Sequence, residues 1–197
     1  MTLGFTWDTS ELDIDLARHT RERAVWRMRR TMPGFVWDAA VLEGNPFTYP
    51  DVQTLMEGVT VGGHRLSNER QVLALADSMR ELAYGSHILP EPGPGGENLI
   101  RLHSEGLTDI LELPDPVQQG IAYFLFAALN QFYFDGNRRT GRAMMNGHLM
   151  SCGIDAISVP ALRRREFNTL MVDFYRSKDA TGIFGLLLSC HPDRLTA

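Results

Sequence analysis

The chain has 197 residues, 44% of them apolar, which is enough for one domain with a closed core. A formal net charge of −5 and a pI near 5.7 argue against bulk attraction to nucleic acid or to an anionic membrane. Two cysteines, no zinc-like Cys/His spacing, no leader-like start and no apolar run long enough to cross a bilayer point to a cytoplasmic protein with reduced thiols.

Ser10 fits the N-cap of a helix running to about Arg30. Leu12, Leu16, Val25 and Met28 would mark its buried side, and Arg21, Arg23, Arg27, Arg29 and Arg30 a solvated one. Residues 1–34 therefore read as an N-terminal helix ahead of a main domain, 35–197. A short helix is expected from Phe35 to Glu43, stopped by Gly44. Glu43 sits badly at a helix C-terminus unless a cation pairs with it, and alone it reads as a solvated glutamate. Pro50 and Gly58 bracket a helix from Tyr49 to Glu57, and His64 falls in a surface loop. Ser67 or Asn68 opens the next helix, to about Ala83, with Val72, Leu75, Ala76 and Met79 as its apolar stripe.

Gly85 to Glu97 is a Pro/Gly-rich connector. A helix from Asn98 to Leu111 follows and carries His103 on its surface. Asp115-Pro116 is a strong start for a helix to about Phe134 that is apolar nearly all round and hence central. If that helix stays regular, Gln131 and Asp135 are four apart and face one cleft. A second central helix runs from Arg139 to Cys152 and ends at Gly153. On it, Asn146 is placed to steady Arg142, while His148 lies too far along to serve the loop. Ser158 and Pro160 start a helix to about Ser177. Asp179-Ala180-Thr181 caps a last one, Gly182 to Cys190. The class is all-α, with about eight helices around a buried central pair.

The chemistry gathers between the two central helices, in Asp135-Gly136-Asn137-Arg138-Arg139-Thr140-Gly141-Arg142. The first turn of a helix carries unpaired amides and partial positive charge. Gly136 lets backbone approach a phosphate closely, and Asn137 can donate from its amide. Arg139 and Arg142 share a helix face, and two guanidinium forks suit a polyphosphate. Asp135 offers the hard oxygen wanted by a phosphate-bound Mg²⁺. Taken singly, each residue also reads as a capped turn beside a solvated face.

The run from Phe134 to Arg142 resembles the signature loop of Fic/Doc (fido) proteins, His-Pro-Phe-x-Asp/Glu-Gly-Asn-Gly/Lys-Arg-x-x-Arg. The resemblance extends over most of the chain beyond Val41. It implies a fido-type helical domain that transfers AMP from Mg²⁺-bound ATP to a protein hydroxyl. It adds Arg138 and Gly141 to the phosphate cradle of Gly136, Asn137, Arg139 and Arg142, with Asp135 on the metal. Three departures stand out. Gln131 occupies the position of the catalytic His, Phe132 that of the Pro and Tyr133 that of the Phe. A glutamine amide does not titrate near neutrality, and loss of a general base typically slows catalysis by roughly 10²–10⁴-fold.

The same resemblance gives residues 35–45 a role. Some Fic proteins carry an inhibitory helix reading Ser/Thr-x-x-x-Glu-Gly/Asn, whose Glu pairs with the second loop Arg, here Arg142. Glu43-Gly44 matches, with Ala39 in place of the Ser/Thr. Where these proteins usually place a further helix and a β-hairpin flap, this chain has only the connector. Two readings result. One is a nucleotidyltransferase of protein AMPylation type, restrained by Glu43. The other is a catalytically inactive nucleotide-binding regulatory or toxin–antitoxin-like interaction protein. Partners would be ATP or another nucleotide, a protein target and a second copy of the chain. A nucleic-acid binder built on the arginine clusters fits the acidic balance least.

Overall fold

The structure is a computed structural model that describes residues 3–84, 96–132 and 135–195. Among the described residues it is all-α. Its helices are α1 (Arg21–Arg30), α2 (Met32–Leu42), α3 (Tyr49–Met56), α4 (Leu66–Tyr84), α5 (Gly96–Leu111), α6 (Pro116–Asn130), α7 (Asn137–Ser151), α8 (Arg164–Ser177), α9 (Thr181–Ser189) and α10 (Pro192–Leu195), with a 3₁₀ turn at Ala161–Arg163. The expected eight become ten. The helix expected near residue 10 splits and starts later, and a short helix closes the C-terminal end.

The N-terminal expectation needs correction. Thr20, not Ser10, is the N-cap of α1, and its hydroxyl accepts from the Arg23 amide at 3.2 Å. Residues 3–18 form an extended strap. Leu3, Phe5 and Leu16 are buried on it, and Trp7, Leu12 and Ile14 between them are half-buried against the core. Thr6 takes its backbone bonds from the α8–α9 junction, donating to the Lys178 carbonyl and accepting from the Ala180 amide. Phe5 meets Phe174 edge-on, and Trp7 stacks on Phe184. The strap is thus part of the same core as the main helices.

At the centre α6 and α7 pack most extensively on each other. Asp115 caps α6 by accepting from the amides of Val117 and Gln118, and Pro116 supplies the first turn. Ten residues of α6 are buried, so it is enclosed nearly all round. Gly141 on α7 lets the helices approach, since a Cβ there would stand 3.1 Å from the Phe124 ring and 3.2 Å from its carbonyl oxygen. Phe124, Phe126, Phe167, Phe174 and Phe184 fill the main core, while Val36, Val52, Val72 and Ala76 centre a second cluster under α1–α4.

Two further expectations change. α6 ends at Asn130 and not near Phe134, because Gln131 takes the left-handed conformation at φ 52°. Gln131 and Asp135 are therefore not on one regular helix. Asn146 does not reach Arg142. It is buried and spends its amide on Ile157, accepting from its N–H at 2.8 Å and donating to its carbonyl at 3.0 Å. That exchange pins the chain leaving α7, after Gly153 has stopped the helix. Both cysteines are free thiols. No helix among the described residues is long and apolar enough to cross a membrane. Residues 85–95 of the connector, and Tyr133 and Phe134, lie outside the described residues.

Candidate functional site

The site forms where the end of α2 meets the start of α7. α2 ends in a paired C-terminal motif: the Gly44 amide bonds to the Val41 carbonyl and the Asn45 amide to the Ala40 carbonyl. Gly44 sits at φ 84°, where a Cβ would be strained. Asn45 is buried and locks this reversal. Its amide donates to the Asn68 carbonyl and to Gln71 Oε1, and its oxygen accepts from the Phe47 amide. At the other side of α2, Asp38 accepts from Ser158 Oγ and from the Ala161 amide. Burial pushes the Asp38 carboxyl up, and these two bonds hold it back. The helix that carries Glu43 is therefore fastened both beside and below it.

Glu43 points at α7. Arg142 Nη2 donates to Glu43 Oε1 at 3.0 Å, and Arg138 Nη2 stands 3.7 Å from Glu43 Oε2. Arg138 and Arg142 are one helical turn apart, so the carboxylate is bracketed by two guanidinium groups. Arg142 is buried, with its guanidinium 6.0 Å from the Phe167 ring centre. Its Nη1 is buried with no hydrogen-bond partner among the described residues. Burial pushes the Arg142 pKa down, Glu43 pulls it up, and the charges of Arg138 and Arg139 push it down again. A cation this far from water needs a fixed anion, and among the described residues Glu43 is the one paired with it.

Arg139 is occupied differently. Its Nη2 donates to Asp135 Oδ2 at 2.7 Å, and its fork folds over Gly136. Asp135 Oδ1 accepts from the Gly136 amide. Arg139 and Arg142, expected to work as a pair on one face, are therefore each held by a separate carboxylate. Gly136 is the N-cap residue of α7 at φ 78°, and it brings no side-chain oxygen to the first amides of that helix.

Gln131, exposed and left-handed, bridges the loop. Its Nε2 donates to the Ala128 carbonyl at 2.5 Å, and its Oε1 accepts from Asn137 Nδ2 at 3.1 Å. Both ends of the amide staple the end of α6 to the start of α7. The left-handed backbone costs roughly 1–2 kcal/mol in a residue with a Cβ, which such a staple can offset. No proton acceptor results from this arrangement. His148 instead faces Gln119 at 2.8 Å, and His64 stacks on Phe47.

Two residues of α8 complete the site and went unnoticed in the sequence. Phe167 backs Arg142. Tyr175 is half-buried within electrostatic reach of the pair: burial pushes its phenol up, Arg138 pulls it down and Glu43 pushes it up. Phe167, Met171 and Phe174 follow an ordinary core stripe, so nothing in their spacing marks a neighbour of the loop. Arg164, at the start of α8, reaches the other end of the site. Its Nη2 would lie 3.3 Å from a Cβ at Gly44.

No protein-family model and no curated protein matches the sequence. Solved structures do resemble the fold. Fic-1 from C. elegans superposes with a TM-score of 0.72 at 16% identity, over 93% of this chain and 66% of that one. A glutamate-to-glycine variant of Fic-1 gives 0.70 at 17% identity, over 92% and 66%. A Fic domain containing signaling protein from Bacteroides thetaiotaomicron gives 0.63 at 16% identity, over 88% of both chains. The chain spans about two thirds of the Fic-1 chains it resembles. With ten helices among the described residues and an enclosed central pair, this chain has the Fic (fido) fold.

Proposed function

We propose that this protein binds a nucleoside triphosphate, ATP in the first instance, at the start of α7, and that Glu43 closes the site in the state described. One observation carries the reading. Glu43 lies between Arg142 and Arg138 while Arg142 Nη1 remains buried without a partner among the described residues. A polyphosphate has more acceptor oxygens than a carboxylate and could satisfy both sides of that fork.

The residues fit a Mg²⁺-bound polyphosphate. Arg142 and Arg139 would take phosphate oxygens, with Arg138 at the rim. Gly136, Asn137 and Gly141 keep the first turn of α7 accessible and close to α6. Asp135, already exposed and freed once Arg139 leaves it, would face the metal. Mg²⁺ would supply charge neutralisation for the phosphates. The exchange keeps the charges paired: Arg139 and Arg142 each give up a carboxylate for a phosphate, and one of the released carboxylates gains the cation. If Glu43 favours the closed state by about 2 kcal/mol, apparent affinity falls roughly 30-fold.

Transfer of AMP to a hydroxyl needs a group to accept the hydroxyl proton. Gln131 offers none and is itself tied to Ala128 and Asn137. The proposed activity is therefore nucleotide binding that moves α2, with group transfer absent or slow. Titration calorimetry with ATP and Mg²⁺ should show tighter binding by Glu43→Gly than by the natural protein; equal affinities would remove the gate. Labelled ATP then separates binding from transfer. Label passed to protein by Glu43→Gly alone would make the chain a transferase with an unusual base. Label passed only by Glu43→Gly/Gln131→His would mark an intact cradle without one.

A further inference from the structure

A shallow groove of about 580 Å³ runs along the outer face of α8, where Arg164, Arg165, Asn168, Val172 and Arg176 line it. At 3.6 residues per turn these five fall within about a third of the helix circumference, away from Phe167, Met171 and Phe174 in the core. Arg164, Arg165 and Arg176 are exposed, and among the described residues none of them has an ion pair or a side-chain hydrogen bond. Arg163, one residue earlier, shows the contrast, since Glu166 holds it at 2.8 Å. Val172, at the centre of the face, is 44% exposed.

The complement of this face lies on the strap. Residues 1–17 contain no Lys or Arg, and Asp8, Glu11, Asp13 and Asp15 are all exposed. Glu11, Asp13 and Asp15 alternate with Leu12 and Ile14, which pack on the core, so these three carboxylates share the outer side. Asp13 is held by Arg194 at 3.0 Å, while the Glu11 and Asp15 side chains have no partner among the described residues. Glu11 to Asp15 spans roughly 13 Å of extended chain, and Arg165 to Arg176 roughly 16 Å of helix. The two arrays therefore match in length as well as in sign. Among the described residues no ion pair joins them within one molecule.

We propose that the basic face of α8 docks the acidic strap of a second copy of this chain. A twofold pair forms the contact twice, each α8 taking the other's strap, which doubles the modest worth of exposed ion pairs. Val172, covered in the pair, adds an apolar centre. A nucleic acid fits this face less well, because Asp173 stands beside the arginines and the chain carries a net charge of −5. Like net charges also repel, so local complementarity alone draws the copies together. Arg164 sets where a docked copy sits. Its Nη2 would lie 3.3 Å from a Cβ at Gly44, next to the turn that carries Glu43. The contact itself does not rest on nucleotide binding at that site.

Sedimentation equilibrium of the full chain tests the contact. Self-association should appear as protein concentration rises. It should weaken between about 0.1 M and about 1 M salt, where the screening length falls from about 10 Å to about 3 Å. Arg165→Glu/Arg176→Glu and Glu11→Arg/Asp15→Arg should both stay folded, since all four sites are exposed. Each variant alone should associate at least ~10-fold more weakly than the natural protein. An equal mixture of the two should regain the natural association. Each reversed face then meets a reversed strap, and each natural face a natural strap. Should either double variant fold poorly, the single changes Arg165→Glu and Glu11→Arg carry the same mixing test. A chain that stays monomeric up to about 1 mM, association that strengthens with salt, variants that associate undiminished, or a mixture no tighter than its components would overturn the proposal.

Discussion

Arg142 Nη2 and Glu43 Oε1 lie 3.0 Å apart although ninety-nine residues separate them in the chain. The contact joins a nearly buried guanidinium to a carboxylate at the end of α2. Removing Glu43 leaves two neighbouring cations without their shared anion. Glu43→Ala should therefore lower the stability of the ligand-free protein by about 1–3 kcal/mol. Thermal melts should show the variant below the natural protein without nucleotide, and a larger upward shift for the variant when ATP and Mg²⁺ are added. An unchanged melting temperature without ligand would mean the pair contributes nothing.

Asn45 touches neither arginine, yet it sets where Glu43 sits. Asn45→Ala removes three hydrogen bonds at a buried position and should cost about 2–3 kcal/mol. It should also weaken the closed state. ATP affinity, measured by calorimetry on the folded variant, is expected to move toward that of Glu43→Gly. Stability lost with affinity unchanged would show that the reversal after α2 does not govern the gate.

Arg139 separates binding from folding. Its pair with Asp135 is largely solvated, and such pairs contribute about 0.5 kcal/mol or less. Arg139→Ala should melt close to the natural protein. In the Glu43→Gly background it should bind ATP at least ~10-fold more weakly, as expected for a lost charge-assisted bond to phosphate. Full affinity in that background would place the phosphates elsewhere.

His191 should make the fold acid-sensitive. It is fully buried, its Nδ1 accepts from the Asp193 amide, and its Nε2 has no partner among the described residues. Burial pushes its pKa down; Asp193 and Asp155 pull it up, and Arg194 and Arg27 push it down again. A folded value below the unfolded value of about 6.5 means the unfolded chain binds the proton more readily. Stability is then complete above about pH 6.5 and is lost as pH falls toward the folded value. Melts taken between about pH 8 and pH 5.5 should decline, and less steeply in His191→Phe. Identical slopes would assign the decline to other groups.

Much of this was legible in residue pattern. The apolar circumference of α6, the Asp115-Pro116 start and the glycine stops at Gly44 and Gly153 reflect local chemistry, and the elements formed where that chemistry put them. The strap was readable too, in a different period. Leu12, Ile14 and Leu16 alternate with Asp13 and Asp15, an extended signal, but Leu12 and Leu16 also satisfy a helical spacing of four. The tie was broken by tertiary bonds from Thr6 to the α8–α9 junction, which no local window contains. The same holds within the site. Glu43 and the loop arginines could be marked from their motifs, whereas Arg139 folding back on Asp135 and Gln131 stapling Asn137 depend on where α6 stops. Phe167 and Tyr175 gave no signal, because a core stripe looks the same whether or not a guanidinium lies against it.

The extended strap has a consequence for how the molecule is made. Phe5 and Trp7 pack against Phe174 and Phe184, which are synthesised long after them. Most of the cluster under α1–α4 comes from the first half of the chain and can condense early. During synthesis Glu43 would thus be mounted on its scaffold before the arginines it restrains exist. The strap meanwhile stays undocked, a stretch that a chaperone or protease could find until α8 and α9 have emerged.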